Sequence, residues 1–460
     1  MIKVMNKSQD MDMLNGGLLR KILIFALPLA LSSMLQQLFN SADVAVVGRF
    51  AGNQALAAVG SNQVVINLLI NLFVGLSVGA NVTVAKYYGK GDKENISNAV
   101  HTSILVAVIS GLFLIVFGFF MTKIMLEIMG TPEDVIDLAG LYLRIYFAGM
   151  PFIMVYNFGS AILRSVGDTK RPLMCLFTAG ILNVILNLFF VIVCHLSVAG
   201  VAIATVISNM VSSGMILYML IHEKRDIHLD LKKLNINKDI LLEIIKIGLP
   251  AGVQGMVFSI SNVCIQASVN SFGSIAIAGS AAALNFESFA FFLLNAFTQA
   301  SVTFTSQNFG AKQYSRCIKI AKVCSLTAIV ATTALCIIFL IFADPFISIY
   351  TTDSAVKQFG IMRMKFVLSL EFLNVLVDVV AGSIRGMGCS VIPAAVDIIG
   401  VCGFRLLWVA TVFQKYHTFE MLMAVYPVSW LLTCTAMIAV FFMVSRKVIS
   451  VESGKLKVES

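Results

Sequence analysis

The sequence predicts an all-α membrane protein whose twelve transmembrane helices form two parallel six-helix repeats. Three observations support this fold class: the apolar composition, the number and length of the apolar runs, and an internal repeat. Of the 460 residues, 58% are hydrophobic and only 12% are charged. A soluble domain has about 45–50% apolar and about 25% charged residues, so this composition excludes an ordinary soluble enzyme with a single core.

Twelve apolar runs follow one another along the chain. A helix that crosses a bilayer needs about 20 predominantly apolar residues, so each run is long enough to cross once. The runs are too long and too evenly apolar for the strands of a membrane barrel, which alternate over about 10 residues. They lie approximately at residues 22–46, 55–84, 100–128, 138–162, 172–194, 198–221, 245–270, 277–303, 317–343, 358–384, 393–414 and 422–445.

The two halves of the chain repeat each other at a shift of 221 residues, which relates Gly52 to Gly273 and Arg164 to Arg385. The same shift relates Gly89 to Gly310, Gly167 to Gly388 and Pro172 to Pro393, and a shift of 222 relates Pro28 to Pro250. Each half holds six runs, an even number, so both halves enter the membrane in the same orientation. Parallel repeats of this kind are typical of transporters that rock two bundles about a central site.

The distribution of positive charge orients the chain. The net charge is +9, and 25 of the 33 Lys and Arg residues fall on one side of the predicted spans. The other side carries Arg49, Lys123, Arg144, Lys357, Arg363, Lys365 and Lys415, while Arg405 lies inside a run. The positive-inside rule therefore places both termini in the cytoplasm. We predict an N-terminal bundle at 1–221, a cytoplasmic linker at 222–246 and a C-terminal bundle at 247–460.

The sequence lacks the motifs of several other protein classes. There is no basic stripe with interleaved aromatic residues, as in nucleic-acid-binding proteins, and no G-x-x-x-x-G-K-[ST] loop, as in ATP-driven pumps. There is no H-E-x-x-H motif or histidine cluster that would indicate a metalloprotease. The nine cysteines form no C-x-x-C pair and lie mostly in apolar runs. We interpret them as small buried hydrophobic residues rather than metal ligands or disulfides.

Five strings, in order, carry a resemblance to a known family: LQQLFNSADVAVVG, AKYYGKGD, LRSVGDTKRP, LNVILNLFFV and VAGVAIATVIS. Together with the repeat, they make the chain similar to the multidrug and toxic compound extrusion (MATE) transporters over about 20–445. The resemblance implies the twelve-helix MATE/MOP-type fold. It also implies a secondary antiporter that exports cationic, amphiphilic drugs or metabolites in exchange for Na⁺ or H⁺.

The resemblance further implies a bacterial cytoplasmic membrane protein with no enzyme activity and no cofactor besides the coupling ion. We expect a monomer whose partners are small, cationic and aromatic molecules and the lipid bilayer, and not nucleic acid. Two alternatives stay open: a lipid-linked saccharide flippase of the same superfamily, and a membrane-bound enzyme such as an acyltransferase. Flippases usually carry more basic residues in the central cavity, whereas the embedded charges here are mainly acidic.

Asp43 is the strongest candidate for the coupling site. An ionised Asp at the centre of a membrane helix costs about 2.5–3.5 kcal/mol to insert, so such residues usually serve function. Because burial disfavours the charged carboxylate, Asp43 can hold a proton or be discharged by Na⁺. The alternative is that Asp43 caps its helix near Gly48 in solvent. Pro28, earlier in the same run, removes a helical hydrogen bond, so this helix can bend there or keep a static kink.

Three polar residues on later runs are the candidate partners of Asp43. Asn183 and Asn187 are four residues apart and therefore share one helical face, and Thr205 lies on the next run. The resemblance implies that these positions form a cation and proton site with Asp43, although the family usually carries Asp where this chain has Asn187. Amide and hydroxyl oxygens suit Na⁺, and interhelical hydrogen bonding is the structural alternative.

The second half carries its embedded acids at other positions. One branch of the family has Glu and Asp where this chain has Phe258 and Asn374. The candidate residues for a second coupling site or a substrate cavity are Glu287, Asp378, Asn374 and Asp397. Arg405 can neutralise Asp378 or Asp397. For each acid, a neutralised structural pair and a substrate contact both stay open.

Overall fold

The computed structural model describes residues 11–129 and 131–452. Within these residues every regular element is a helix. Ten helices are each long and apolar enough to cross a membrane, and two bent helix pairs each make one further span. The predicted all-α fold with twelve spans is therefore confirmed. Four lysines that support cytoplasmic termini, Lys3, Lys7, Lys455 and Lys457, lie outside the described residues.

We number the spans 1 to 12 in chain order. Spans 1 to 6 are Leu18–Phe50, Asn53–Lys90, Lys93–Ile128, the pair Glu133–Ala148 and Met150–Ser165, Lys170–Val193, and Ser197–Ile221. Spans 7 to 12 are Lys238–Asn270, Ser274–Gly310, Tyr314–Ile341, the pair Ser354–Leu368 and Glu371–Gly386, Val391–Lys415, and Phe419–Glu452. A short helix, Ala343–Ser348, lies between spans 9 and 10. Span 7 begins at Lys238, so residues 238–246 of the predicted linker are already helical.

The sequence repeat is reproduced in the backbone. Gly52 and Gly273, which precede spans 2 and 8, have φ angles of 90° and 85°. Spans 4 and 10 are bent by 48° and 45° at breaks that include Gly149 and Leu370, and these two positions also correspond at the 221-residue shift. Since positive φ values favour glycine, the repeated glycines mark turns that both halves make in the same way.

The chain divides into two compact units. Among the described residues, unit 1 contains 11–12 and Leu31–Gly252, and unit 2 contains Met13–Ala30 and 253–452. The units follow the sequence repeats except in spans 1 and 7. The first part of span 1 belongs to unit 2, and 238–252 of span 7 belongs to unit 1. The predicted domains 1–221, 222–246 and 247–460 correspond to the two sequence repeats and the linker between them. That they are also the functional domains stays a prediction.

Four glycines bring spans 2 and 7 into backbone contact within unit 1. A Cβ atom on Gly75 would lie 2.2 Å from the Cα of Gly252, and one on Gly248 would lie 2.6 Å from the Cα of Leu76. A Cβ atom on Gly79 would likewise meet backbone atoms of span 7. Small residues four apart allow membrane helices to approach this closely. We call these residues, Gly75, Gly79, Gly248 and Gly252, the glycine contact.

Charged side chains fix both ends of the linker region to unit 1. The Lys86 ammonium lies 2.7 Å from a carboxylate oxygen of Glu243 at the start of span 7. At the start of span 5, Arg171 donates to Asp168 and, over 2.6 Å, to Glu223, which follows span 6. Arg225 also donates to Glu223, over 2.7 Å. Burial disfavours the charge of Glu223, but its hydrogen bonds and ion pairs with the two arginines outweigh burial and lower its pKa to about 2.

Candidate functional site

The four predicted coupling residues form one hydrogen-bonded chain in unit 1. The Asn187 amide donates to the Asp43 carboxylate and, over 3.2 Å, to the Asn183 carbonyl oxygen. Asn183 in turn donates to the Thr205 hydroxyl over 3.4 Å. Thr205 donates back to the carbonyl of Val201, one turn earlier in span 6. Spans 1, 5 and 6 therefore each contribute to a single polar cluster.

Burial differs along this chain of residues. Asn187 is 0% exposed and Asn183 is also buried, whereas Asp43 and Thr205 are half-buried. Asp43 lies within span 1, whose helix continues to Phe50, so it does not cap the helix end. One side of the Asp43 carboxylate is therefore hydrogen-bonded to the buried Asn187 amide, and the other side is less enclosed by the protein.

Asn187 has a free oxygen beside the carboxylate. Its side-chain Oδ1 is buried and receives no hydrogen bond, while its nitrogen donates twice. Carboxylate, amide and hydroxyl oxygens are the ligands that hard cations prefer. A protonated Asp43 would itself become a donor, and a half-turn of the Asn187 amide would present Oδ1 to it as the acceptor. The residues present therefore suit both a Na⁺ ion and a proton.

A close contact between spans 1 and 5 positions Asp43. A Cβ atom on Gly180 would lie 1.8 Å from the ring of Phe39, so only glycine leaves room for this ring. Phe39 is one helical turn before Asp43, and Gly180 is seven residues before Asn187 on the same side of span 5. The Phe39 ring seated over Gly180 therefore holds the two spans at the separation that the Asp43–Asn187 bond requires.

Two tyrosines near Asp43 were not predicted from the sequence. Tyr142 and Tyr146 of span 4 lie close enough to interact electrostatically with Asp43, and their rings stack at 6.0 Å. Their four-residue spacing in an apolar run was the available signal. Pro28 lies inside the helix of span 1, two residues before the last residue of that helix assigned to unit 2.

In unit 2, Glu287 forms an ion pair that the sequence did not reveal. Arg363 donates to both carboxylate oxygens of Glu287, over 2.7 and 2.9 Å. Arg363 is buried within span 10, inside the predicted run 358–384. A two-pronged guanidinium–carboxylate pair of this kind is strong and directional. Of the two readings left open for Glu287, the structure favours the neutralised pair.

The other acids of unit 2 form a second cluster. Asp378 and Asp397 interact electrostatically with each other and with Arg385. Gln254 connects the cluster, because it accepts from Arg385 over 2.8 Å and donates to Asp397. Asp397 is buried, whereas Asp378 is half-buried. The structure therefore brings Asp378 and Asp397 together around one arginine.

Asn374 and Arg405 lie apart from that acid cluster. Asn374 donates over 2.9 Å to Glu371, a buried acid that the sequence reasoning did not single out. The guanidinium carbon of Arg405 lies 4.4 Å from the ring centre of Tyr426, and its Nε donates to Ser429. The expectation that Arg405 neutralises Asp378 or Asp397 was therefore wrong. Arg385 faces those two acids instead.

Comparison with known proteins identifies the family. The MatE family model matches residues 28–189 and 250–410, which cover most of both sequence repeats. The chain belongs to the MatE family. The resemblance inferred from the five strings is thereby confirmed, and each repeat of this MatE protein carries one copy of the matched domain.

Relatives and solved structures agree with this assignment. The probable multidrug resistance protein YoeA of Bacillus subtilis is 26% identical over 410 residues, which are 88% of each chain. The probable multidrug resistance protein NorM of Thermotoga maritima is 25% identical, again over 410 residues and 88% of each chain. A solved multidrug resistance MATE family transporter of the MOP superfamily, in an outward-facing conformation, is 21% identical with a TM-score of 0.88. The match covers 96% of this chain and 99% of that one.

The comparisons place this MatE protein among membrane transporters rather than enzymes. Its fold is the twelve-helix MATE fold, as the sequence predicted. The relatives support export of drugs or other small molecules as its general function. Its many apolar helices make it a multi-pass membrane protein.

Proposed function

We propose that this MatE protein is a secondary antiporter that exports cationic, amphiphilic drugs or metabolites in exchange for Na⁺ or H⁺. The observation that carries the proposal is the Asp43 carboxylate, which is hydrogen-bonded to the buried Asn187 amide at the end of a polar chain. The protein acts as a monomer in the bacterial cytoplasmic membrane, with both termini in the cytoplasm. It needs no cofactor besides the coupling ion.

The exchange follows from competition for one negative charge. When Asp43 takes up H⁺ or Na⁺, its negative charge is neutralised and a cationic substrate loses the attraction that holds it. When Asp43 is charged again, the substrate binds. By linkage, the ion and the substrate must weaken each other's binding by the same factor. The single carboxylate of the site, with Asn187 where the family usually carries Asp, makes this competition direct.

The conformational part of the cycle uses span 1. Pro28 leaves one helical hydrogen bond unmade, so span 1 can bend there with little loss of bonding. Bending near Pro28 changes the direction of the helix segment that carries Asp43. Access to Asp43 then alternates between the two sides of the membrane, as in other transporters built from repeats.

In unit 2, Asp378 is the acid most suited to meet a cationic substrate. It is half-buried, and it interacts electrostatically with Arg385, Asp397 and Glu371. Glu287 is already satisfied by Arg363, and Asp397 is held by Gln254. We therefore assign Asp378 to the substrate cavity and Asp397, Asn374 and Glu287 to the polar framework around it.

The flippase alternative needs basic groups that are free to meet a lipid-linked pyrophosphate. Each buried arginine in the described part of unit 2 is already bonded: Arg363 to Glu287, Arg385 to Gln254 and Arg405 to Ser429. The half-buried acids Asp43 and Asp378 would repel such a substrate. This arrangement favours a cationic cargo.

The test is transport in proteoliposomes with a proton gradient and a Na⁺ gradient imposed separately, using ethidium as the cationic probe. Asp43→Asn fixes the neutral state of the site and should abolish exchange under both gradients, while the protein stays folded and inserted. Asp137→Asn, which neutralises an exposed acid in span 4, is the matched control and should transport like the wild type. Full exchange by Asp43→Asn would place the coupling site elsewhere.

A further inference from the structure

Span 11 contains a π-helical turn at Ile398–Gly403. The corresponding residues of span 5, 177–182, are regular α-helix within Lys170–Leu188. A π-helical turn accommodates one extra residue, and such turns are often found at functional sites. Span 5 makes its own π-helical turn later, at Phe189–Val193. Between these two turns, span 11 is therefore displaced by one residue relative to span 5. Arg405, rather than Phe404, takes the place in unit 2 that Asn183 has in unit 1.

The neighbours of Arg405 support this correspondence. Tyr426 is the repeat counterpart of Thr205, and Ser429 is the counterpart of Ser208. In unit 1, Asn183 donates to Thr205 over 3.4 Å. In unit 2, the Arg405 guanidinium lies over the Tyr426 ring, at 4.4 Å from its centre, and its Nε donates to Ser429 over 3.3 Å. The Arg405–Tyr426 contact thus replaces the Asn183–Thr205 contact.

The guanidinium of Arg405 lies against the faces of aromatic rings. Besides Tyr426, the rings of Phe258 and Trp430 lie 5.7 and 5.9 Å from the guanidinium carbon. A guanidinium over aromatic rings is attracted by their negative faces, and the attraction is stronger when water is excluded. Arg405 is 1% exposed, so water is excluded here.

No carboxylate of the described residues pairs directly with Arg405. Its Nη1 atom is buried and has no hydrogen-bond partner. Glu371 interacts with it electrostatically but is hydrogen-bonded to Asn374 instead. Arg363, whose guanidinium carbon lies 5.7 Å from the centre of the Tyr426 ring, is neutralised by Glu287. Arg405 therefore supplies the positive charge that balances Glu371 without binding it.

We propose that Arg405 is a tethered cation that occupies, in unit 2, the place that Asn183 has in the coupling cluster of unit 1. The protein then binds one coupling ion per chain, at Asp43, although its fold is a duplication. This inference rests on the proposed coupling role of Asp43. Arg405 acts as a positioning residue. Its guanidinium balances the charge of Glu371 and lies against the aromatic rings, so no second coupling ion is required in unit 2.

The experiment counts coupling ions on the full-length protein in lipid nanodiscs. Bound ²²Na⁺ is measured by equilibrium dialysis, and protons released when ethidium is added are measured in unbuffered solution. The wild type should bind one ion and Asp43→Asn none. Arg405→Gln should bind a second ion, which Glu371→Gln in the same chain should remove. Arg405→Lys, which keeps the charge, should return the count to one.

Arg144→Gln is the matched control, because it removes an exposed guanidinium that lies 5.9 Å from the ring of Phe119. It should leave the count at one. Two ions on the wild type would overturn the inference, even if Arg405→Gln failed to fold. A folded Arg405→Gln protein that still binds one ion would overturn it as well. A wild type that binds neither Na⁺ nor H⁺ would instead refute the proposed antiport. Failure of the antiport proposal is thereby distinguished from failure of the inference about Arg405.

Discussion

Replacing Gly75 by Ala should force spans 2 and 7 apart. The added Cβ atom would lie 2.2 Å from two backbone atoms of Gly252 and 2.9 Å from the carbonyl oxygen of Gly248. Non-bonded carbon atoms are most stable at about 3.5–4.0 Å, so the helices must separate by more than about 1 Å. The clashing atoms belong to the backbone, so no side chain can change its rotamer to relieve the contact.

The cost can be estimated from the contact itself. Overpacking a well-packed interface costs about 1–3 kcal/mol. The same separation would stretch the nearby Lys86–Glu243 ion pair, now 2.7 Å, towards the limit of an ion pair. We therefore expect Gly75→Ala to lower the unfolding temperature of the purified protein. Six of the nine cysteines are buried, so a thiol-reactive dye whose fluorescence rises on reaction reports unfolding directly.

Gly214→Ala is the control for this substitution. Gly214 also lies inside a helix, but a Cβ atom there would meet nothing within 4 Å. Alanine is more favourable than glycine inside a helix by about 0.5–1 kcal/mol, so this variant should be as stable as the wild type or more stable. If Gly75→Ala matched Gly214→Ala in unfolding temperature, the backbone contact would not hold the spans together as described.

Two further predictions concern the charged groups. Glu287→Gln leaves Arg363 buried without its counter-ion and should cost about 3–5 kcal/mol, whereas the double change Glu287→Leu with Arg363→Met should recover most of that stability in the same dye assay. Equal stability of the single and double variants would refute the pairing. Because the pKa of Glu223 is lowered from 4.5 to about 2, its stabilisation of the linker is complete above pH 4.5 and is lost as the pH falls towards 2. The protection factors of the peptides after span 6, which correct for the intrinsic pH dependence of hydrogen exchange, should therefore fall over that range in the wild type, and those of Glu223→Gln should not.

The coupling cluster was predictable because polar residues are costly in a membrane span and therefore few. Asp43, Asn183, Asn187 and Thr205 stand out in apolar runs, and helical spacing puts the two asparagines on one face. The twelve spans followed from the lengths of the runs in the same way. The proximity of Tyr142 to this cluster depends on how span 4 packs beside spans 2, 3 and 6, which composition does not encode.

The partner of Arg363 could not be predicted from the sequence. The predicted run 358–384 already contained Arg363, and the structure buries its side chain within span 10. Its partner, Glu287, is 76 residues earlier, and no local pattern links the two.

The π-helical turn of span 11 had no signal in the sequence. On a regular helix, Arg405 would be related to Val184 by the repeat, and its direction would follow from that position. One extra residue in the turn rotates everything after it by about 100°. This rotation directs Arg405 to Tyr426 and away from Asp378 and Asp397, which is why its expected partners were wrong.

The shared helices of the two compact units bear on how such a protein arose. Residues 13–30 complete the unit built mainly from the second repeat, where Arg316 binds the backbone carbonyls of Asn15 and Gly16. Residues 238–252 complete the unit built mainly from the first repeat. A gene that encoded one repeat would have produced a subunit whose leading helix had to be supplied by a second copy. In the present chain a single polypeptide supplies both leading helices, so neither repeat alone contains all the helices of one compact unit.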